Sequence, residues 1–430
     1  MAENQKVEYS DAYVRYAVGL CFVVYTVNFI DRQILAILLQ PIKEELSLSD
    51  TQLGLLSGTA FGLFYATLGV PIGRLADRYS RRGVMAICIS VWSIMTALCG
   101  TAKSFGVLLA YRVGVGVGEA GGSPPAISLI SQYVEPAKRA TALAVFSLGV
   151  PVGILIGYLS GGYLREAFDW RIAFFVVGIP GVLVALLVRF TLREPPREIS
   201  KLPPLRNVFN FLWNRKSFRH LSFAGGLYAF AGYSFVFMLP AVLERSHSMT
   251  PTRIGMVSAV IIGVGGAIAT LWGGKLADVW ARTDRRAYVL VPMIAMILQI
   301  PFSLIGWSTA SLQLCIGMLF CVGLLGQAYQ GPLLAASQSL APMAMRVTAA
   351  AVLYFVLNII GLMFGPVTTG FLSDQLAPKF GADSLRYALV IVSGVMYTWS
   401  ALHFWIASRY IVEDFDYVAE LDSSGGVSSI

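Results

Sequence analysis

Gly73-Arg74-Leu75-Ala76-Asp77, with Arg81 four residues beyond, is one copy of a phrase that the chain uses twice. The second copy is Gly274-Lys275-Leu276-Ala277-Asp278, with Arg282 four residues beyond. Asp77 and Arg81 map onto Asp278 and Arg282 at one offset, about half the chain length. Each copy closes one long apolar stretch and is followed by another. The chain therefore reads as a duplicated membrane unit, with the same charged loop after the second helix of each half. Internal duplication of this kind is characteristic of secondary transporters.

Composition agrees. Of the 430 residues, 56% are hydrophobic and 13% are charged, and the mean hydropathy is +0.69. Soluble domains carry roughly twice that charged fraction. A membrane span needs about 20 apolar residues, and twelve such stretches are expected, from 14–38 to 386–408. The fold class is therefore an all-α integral membrane protein, with twelve transmembrane helices in two pseudo-symmetric six-helix bundles. The bundles are expected over 1–192 and 220–412. A basic, Pro-containing linker joins them over 193–219, and an acidic, then Ser/Gly-rich tail over 413–430 is expected to be disordered.

Lys and Arg set the orientation. About 22 of them fall on the side of the membrane that holds the N-terminus and about eight on the other. Both termini, the linker and both repeated loops are then expected in the cytoplasm, in the inner membrane if the source is bacterial. The net charge of +8 is mostly this topology signal. It forms no basic domain face, so no nucleic-acid partner is expected. The start of the chain, polar and mixed in charge, has no signal-peptide character. The five cysteines, Cys21, Cys88, Cys99, Cys315 and Cys321, all fall in apolar stretches and read as packing residues. No metal or other cofactor is expected. The three histidines, His220, His247 and His403, are far apart, and no catalytic constellation accompanies them, so an enzyme is not expected.

Ionisable residues inside a span are costly, so each is a functional candidate. The first span holds Asp31 and Arg32, and the fourth holds Arg112 and Glu119. Arg112 and Glu119 share nearly one helix face, roughly 10 Å apart along the axis. Asp31 and Arg32 are adjacent and differ by about 100° around theirs. A bland reading is two salt bridges that lock the two spans together. The preferred reading is a substrate-binding cation, Arg32 or Arg112, beside proton-coupling carboxylates, Asp31 and Glu119. Spans 7 to 11 of the second half hold only neutral polar groups, and Tyr228, Tyr233 and Gln330 are the candidate wall on that side. The Gly116-x-Gly118-x-x-Gly121 run matches a dinucleotide fingerprint on paper but has no βαβ context. It reads as close helix packing.

The repeated loops read as a latch. Asp77 and Asp278 can each face a helix N-terminus or a neighbouring arginine, with Arg81, Arg139 and Arg282 as gating partners. A fainter echo, Arg139-Ala-Thr-Ala-Leu-Ala-Val-Phe beside Arg346-Val-Thr-Ala-Ala-Ala-Val-Leu, supports the duplication.

At these residues the chain resembles a known family. Gly-x-Leu-Ala-Asp-Arg-x-x-Arg-Arg at 73–82 resembles the signature loop of the major facilitator superfamily, as do Glu135-Pro-x-x-Arg139 and the Pro/Gly run of the fifth span. Asn28-Phe-Ile-Asp31-Arg32 and Arg112-x-Gly-x-Gly-x-Gly-Glu119-Ala resemble the spinster family within it. The resemblance implies two six-helix bundles around a central cavity and alternating access. It also implies proton-linked or facilitated movement of amphiphilic lipids. Asp31, Arg32, Arg112 and Glu119 would line the site, and Asp77 would serve the gate. The expected partners are a small-molecule or lipid-like substrate, protons and the lipid bilayer, and a monomer is the expected state. The expected substrate is an anionic or zwitterionic amphiphile such as a lysolipid. A small organic acid, such as a sugar acid or aromatic carboxylate moved with a proton, is the alternative.

Overall fold

A computed structural model describes residues 9–135, 138–195 and 204–424, apart from the side chains of Val70, Asp77 and Ala140. Among the described residues the secondary structure is entirely helical. The first half begins with α1 (Asp11–Leu46). A second column follows: α2 (Asp50–Gly54), a π turn at Leu55–Thr59, and α3 (Ala60–Arg78). Then come α4 (Arg81–Cys99), a broken column of α5 (Phe105–Glu119) and α6 (Ser123–Tyr133), a second broken column of α7 (Arg139–Ser147) and α8 (Gly149–Ala167), and α9 (Trp170–Thr191). After a short α10 (Leu205–Trp213) the pattern repeats. It runs through α11 (Lys216–His247), α12 (Pro251–Ser258) and α13 (Gly265–Ala281), joined by a π turn at Ala259–Val264, and α14 (Ala287–Ser308). It continues through α15 (Leu312–Gly326) and α16 (Gln330–Ser339), then α17 (Arg346–Leu357) and α18 (Gly365–Phe380), joined by a π turn at Asn358–Met363, and ends with α19 (Ser384–Ser423).

Among the described residues, nine helical stretches are long and apolar enough to cross a membrane by length and composition, and the last, Met343–Ser423, contains both α17–α18 and α19. The columns α2–α3 and α5–α6 are not among the nine. The duplication reaches the backbone. Ser47 and Ser248 end α1 and α11 in the left-handed region, with φ of 53° and 51°. Both are left-handed C-caps, which free the chain to reverse into the next column.

One expectation is corrected. The tail does not become disordered at 413. Helix α19 runs on to Ser423 because Phe415 and Val418 are buried and the acidic residues find partners. Asp414 accepts from the Ser217 backbone N–H at 3.2 Å, Asp416 pairs with Arg285, and Asp422 pairs with Arg346 at 3.5 Å. Residues 425–430 lie outside the described residues. The linker, in turn, holds α10, whose Val208, Phe211 and Leu212 are buried against the second half. Its residues 196–203 lie outside the described residues.

The halves meet most tightly at the face distal to the termini. Asp50 on the first half is buried and receives Lys43 at 2.5 Å, Arg245 at 2.8 Å and the Ser373 hydroxyl at 2.6 Å. Arg245 also donates to Gln40 at 2.6 Å, and Arg165 makes a two-pronged pair with Glu244 at 2.5 and 2.7 Å. On the face that carries the termini, the ion pairs among the described side chains stay within a half. Glu194 accepts from Ser80 Oγ at 2.6 Å and from the Arg81 and Arg82 backbone N–H groups at 2.9 and 3.2 Å.

Asp50 precedes the apolar part of its column. Burial alone would push its carboxyl up, but Arg245 and Lys43 hold it down to about 2. A carboxylate depressed in this way contributes stability above its ordinary value and loses it as pH falls through the depressed one. The contribution amounts to about 2 kcal/mol. The difference in melting temperature between wild type and Asp50→Asn is therefore expected to be constant from pH 8 to about 4. It should shrink toward zero as pH approaches 2.

Candidate functional site: a buried charge cluster facing an aromatic wall

Two columns break at matching places. In the first half the helix stops at Glu119 and restarts at Ser123, and in the second it stops at Gly326 and restarts at Gln330. Broken helices at corresponding positions of two repeats are the strongest structural pointer to a transport site.

Around the first break the structure gathers four charges. Arg32 Nε donates to Glu119 Oε2 at 2.6 Å. The guanidinium lies over three aromatic rings, Phe29 at 5.0 Å, Phe61 at 4.9 Å and Tyr65 at 4.5 Å. Phe61 also carries Arg112 on its ring, at 5.6 Å, so one ring serves both cations. Arg112 is 1% exposed and donates to the Leu56 carbonyl at 3.4 Å. Asp31 is 0% exposed and accepts from the Thr96 hydroxyl at 3.4 Å. Asp31 Oδ1, Glu119 Oε1 and Arg112 Nη1 have no protein partner.

Burial therefore divides the cluster. Arg112 and Asp31 are fully buried inside the first half. The Arg32 side chain keeps 12% exposure while its partner Glu119 keeps none. Of the two arginines weighed for the substrate, the structure opens Arg32 to the space between the halves and walls off Arg112. Close packing of glycine makes this geometry. At Gly118 a Cβ would lie 2.6 Å from the Trp92 backbone nitrogen, so any larger residue would push α5 off α4.

Across from Arg32 stands the second half. Tyr233 on α11 and Gln330 on α16 are both half-buried there. Tyr228 takes another role. Its hydroxyl donates to the Gly326 carbonyl freed by the second break, and reaches Gln299 at 3.4 Å. Its ring packs on Tyr329, with centroids 4.3 Å apart. It braces the break from within the second half.

The gating candidates lie on the face that carries the termini, away from this cluster. Arg139 donates to the Val134 carbonyl at 3.1 Å, and Arg346 makes the matching bond to Ala341 at 3.4 Å. Asp278 accepts from Tyr288 of its own half at 3.2 Å. Arg81 donates to Gln132 at 2.9 Å, and Arg282 is exposed just past α13. The Asp77 side chain lies outside the described residues. Residues that a search for intramembrane charge passes over are Phe29, Phe61, Tyr65 and Tyr354. Their signal was present: Phe29 is three residues before Arg32, and Phe61 and Tyr65 are one helical turn apart.

A broken-helix pair around an intramembrane charge cluster defines a membrane transporter. Comparison gives the family. The sequence pattern described as Major Facilitator Superfamily matches residues 21–366, and the chain belongs to that family. It is 32% identical over 411 residues to an MFS-type efflux pump of Mycolicibacterium smegmatis, covering 93% of this chain and 94% of that one. It is 29% identical to protein spinster homolog 1 of Xenopus tropicalis, covering 94% of this chain and 82% of the relative. It is 25% identical to the hexuronate transporter of Bacillus subtilis, covering 87% and 91%. Among solved structures, a bacterial homolog of the human lysosomal transporter spinster, in an inward-facing and unoccupied conformation, superposes with a TM-score of 0.82. It is 30% identical, and the match covers 94% of this chain and 99% of that one.

Removing one member of a buried ion pair leaves an uncompensated charge and costs about 3 kcal/mol or more. Arg32→Gln and Glu119→Gln are each expected to lower the melting temperature of the purified protein. The double variant should recover most of the loss. Equal, additive losses would mean that the two side chains do not act as a pair.

Proposed function

We propose that the protein is a secondary active transporter that works by alternating access. It couples substrate movement to protons and carries an anionic or zwitterionic amphiphile such as a lysolipid. One observation carries this reading: Arg32, the cluster's guanidinium with exposure to the space between the halves, is held by a fully buried carboxylate and framed by aromatic rings. An anionic head group that takes Arg32 must displace Glu119. A buried carboxylate without its counterion favours its protonated form. Substrate and proton then bind together, and neither binds well alone. Asp31, beside Arg112, is the second proton-coupling candidate, and Arg112 acts from inside the first half.

The apolar tail rests on the second-half wall, where Tyr233, Tyr354 and Gln330 offer rings and neutral polar groups but no charge. Each buried methylene adds roughly 0.8 kcal/mol, so tail length can dominate affinity. Asp77, Arg81, Arg139, Asp278 and Arg282 latch the face that carries the termini when the halves rock, and that face is cytoplasmic by the positive-inside rule. The working unit is a monomer.

A small organic acid is the second reading, favoured by the likeness to the hexuronate transporter. Arg32 would hold its carboxylate equally well.

Flux into proteoliposomes tests the proposal, with lysolipids, sugar acids and aromatic carboxylates each run with and without a pH gradient. Uptake should follow the gradient in wild type. In Glu119→Gln the fold should survive and the dependence on the gradient should vanish. Persistence of proton-driven uptake in that variant removes Glu119 from the coupling.

Affinity should also rise with chain length across a homologous lysolipid series, by about tenfold for every two methylenes buried. Tyr233→Asp should flatten the trend. A flat trend in wild type selects the small-acid reading.

A further inference from the structure

Helix α18 ends its distal turns with Gly370-Phe-Leu-Ser-Asp374, and α8 ends its own with Gly162-Tyr-Leu-Arg-Glu166. Both read glycine, three residues, carboxylate. Both do the same thing to the opposite half. At Gly370 a Cβ would collide with the Asp50 carbonyl oxygen, and at Gly162 a Cβ would lie 2.6 Å from the Pro251 carbonyl oxygen. One turn on, Asp374 accepts from the Asp50 backbone N–H at 2.9 Å and the Thr51 backbone N–H at 2.8 Å. Glu166 accepts from the Thr252 backbone N–H at 2.8 Å. Asp50-Thr51 opens α2 and Pro251-Thr252 opens α12, and these two pairs stand at the offset of the repeated loops. The two contacts are one device, used twice.

The chemistry is that of a helix N-cap supplied by a different part of the chain. The first N–H groups of a helix have no partner within it and concentrate positive potential at that end. Helix α2 supplies part of its own cap, since Ser49 and Gln52 form a capping box. That leaves the N–H groups of Asp50 and Thr51 to Asp374. Helix α12 has no side-chain cap of its own from Thr250, and Glu166 supplies one. Among the described residues, neither carboxylate bonds within its own half. Asp374 has one further contact, from the Thr51 hydroxyl at 2.5 Å, and it too crosses the interface. A side chain bonded only across the interface holds the interface closed and contributes nothing to the packing of its own bundle.

We infer that Asp374 and Glu166 are the gate-holding residues of the distal face, each closing it by capping the first turn of a helix in the other half. The inference rests on the alternating-access reading. It also gives the cycle a symmetry. Asp77 lies at the far end of the column that Asp374 caps, one turn from the start of the loop, and Asp278 lies at the far end of the column that Glu166 caps. Each of these two columns, α2–α3 and α12–α13, thus meets a partner's carboxylate at its distal N-terminus and presents its own near its other end. Rocking trades contacts at one end for contacts at the other. The two caps are unequal: Asp374 is half-buried and makes three bonds, whereas Glu166 is exposed and makes one. Asp374 therefore carries more of the closure, and the Glu166 contact is the more weakened by salt.

The test is a distance measurement on the full chain, in detergent and in nanodiscs. Spin labels at Lys103 and Gln313 report the distal face, and labels at Lys138 and Thr283 report the opposite one. Removing Asp374 should shift the open-to-closed ratio at the distal face by about tenfold, the effect of losing one cap, and removing the exposed Glu166 should shift it less. In Asp374→Ala/Glu166→Ala the distal pair should gain a longer component and the opposite pair a shorter one. Asp374→Glu should restore the wild-type distribution. Unchanged distal distances in the double variant overturn the inference. So does lengthening of both pairs together, because that would signal a general loosening of the bundles. The measurement needs no substrate, so a flux panel that fails leaves it standing, and the two readings fail separately.

Discussion

The ion pair between Arg32 and Glu119 lies buried within the first half, and the rest of the site is arranged around it. Arg32 cannot lie buried without Glu119, and Glu119 cannot lie buried without Arg32. The pair ties α1 to the end of α5, and the glycines beside Glu119 seat α5 against α3 and α4. Phe61 stacks under both Arg32 and Arg112. Within this four-charge cluster, Arg32 keeps the exposure while Asp31, Arg112 and Glu119 are buried. The second half makes no such demand. Its broken column is braced by a tyrosine hydroxyl on a freed carbonyl, so its wall stays neutral. On the proposed reading, a substrate between the halves meets one charged wall and one neutral, aromatic wall.

Much of this was legible in the sequence because it is expensive. Four charges stand out in apolar stretches where charge is costly, and a repeated Asp–Arg spacing stands out in a chain with so few charged residues. The all-helical, duplicated membrane fold follows from those two facts and from hydropathy. What was not legible is cheap by the same measure. An aromatic ring is ordinary in a membrane helix, so Phe29, Phe61 and Tyr65 gave no alarm although they cradle Arg32. Arg112 and Arg32 look equivalent in sequence, and only packing shows that one is buried while the other keeps some exposure. Asp374 and Glu166 lie past the ends of the apolar stretches, where a carboxylate is unremarked. Their glycine partners matter only against a backbone from the other half.

The tail shows the same limit from another side. A run of acidic residues after the last span reads as disordered when it is considered alone. Its partners are Ser217 at the start of α11, Arg285 in the loop before α14 and Arg346 at the start of α17. No local pattern announces a helix that is held by contacts so far away in sequence. Once Phe415 and Val418 are buried, the helix has its own reason to continue, and the acidic residues gather the basic loops beneath the second half into one block.

Helix α10 belongs to that block as well. Its apolar face packs on the second half, while Glu194 holds the near end of the linker to the first half through Ser80, Arg81 and Arg82. Registry between the halves is written on their facing surfaces, in the glycine contacts and the crossed ion pairs. In its geometry the protein is a heterodimer whose two subunits happen to share a polypeptide.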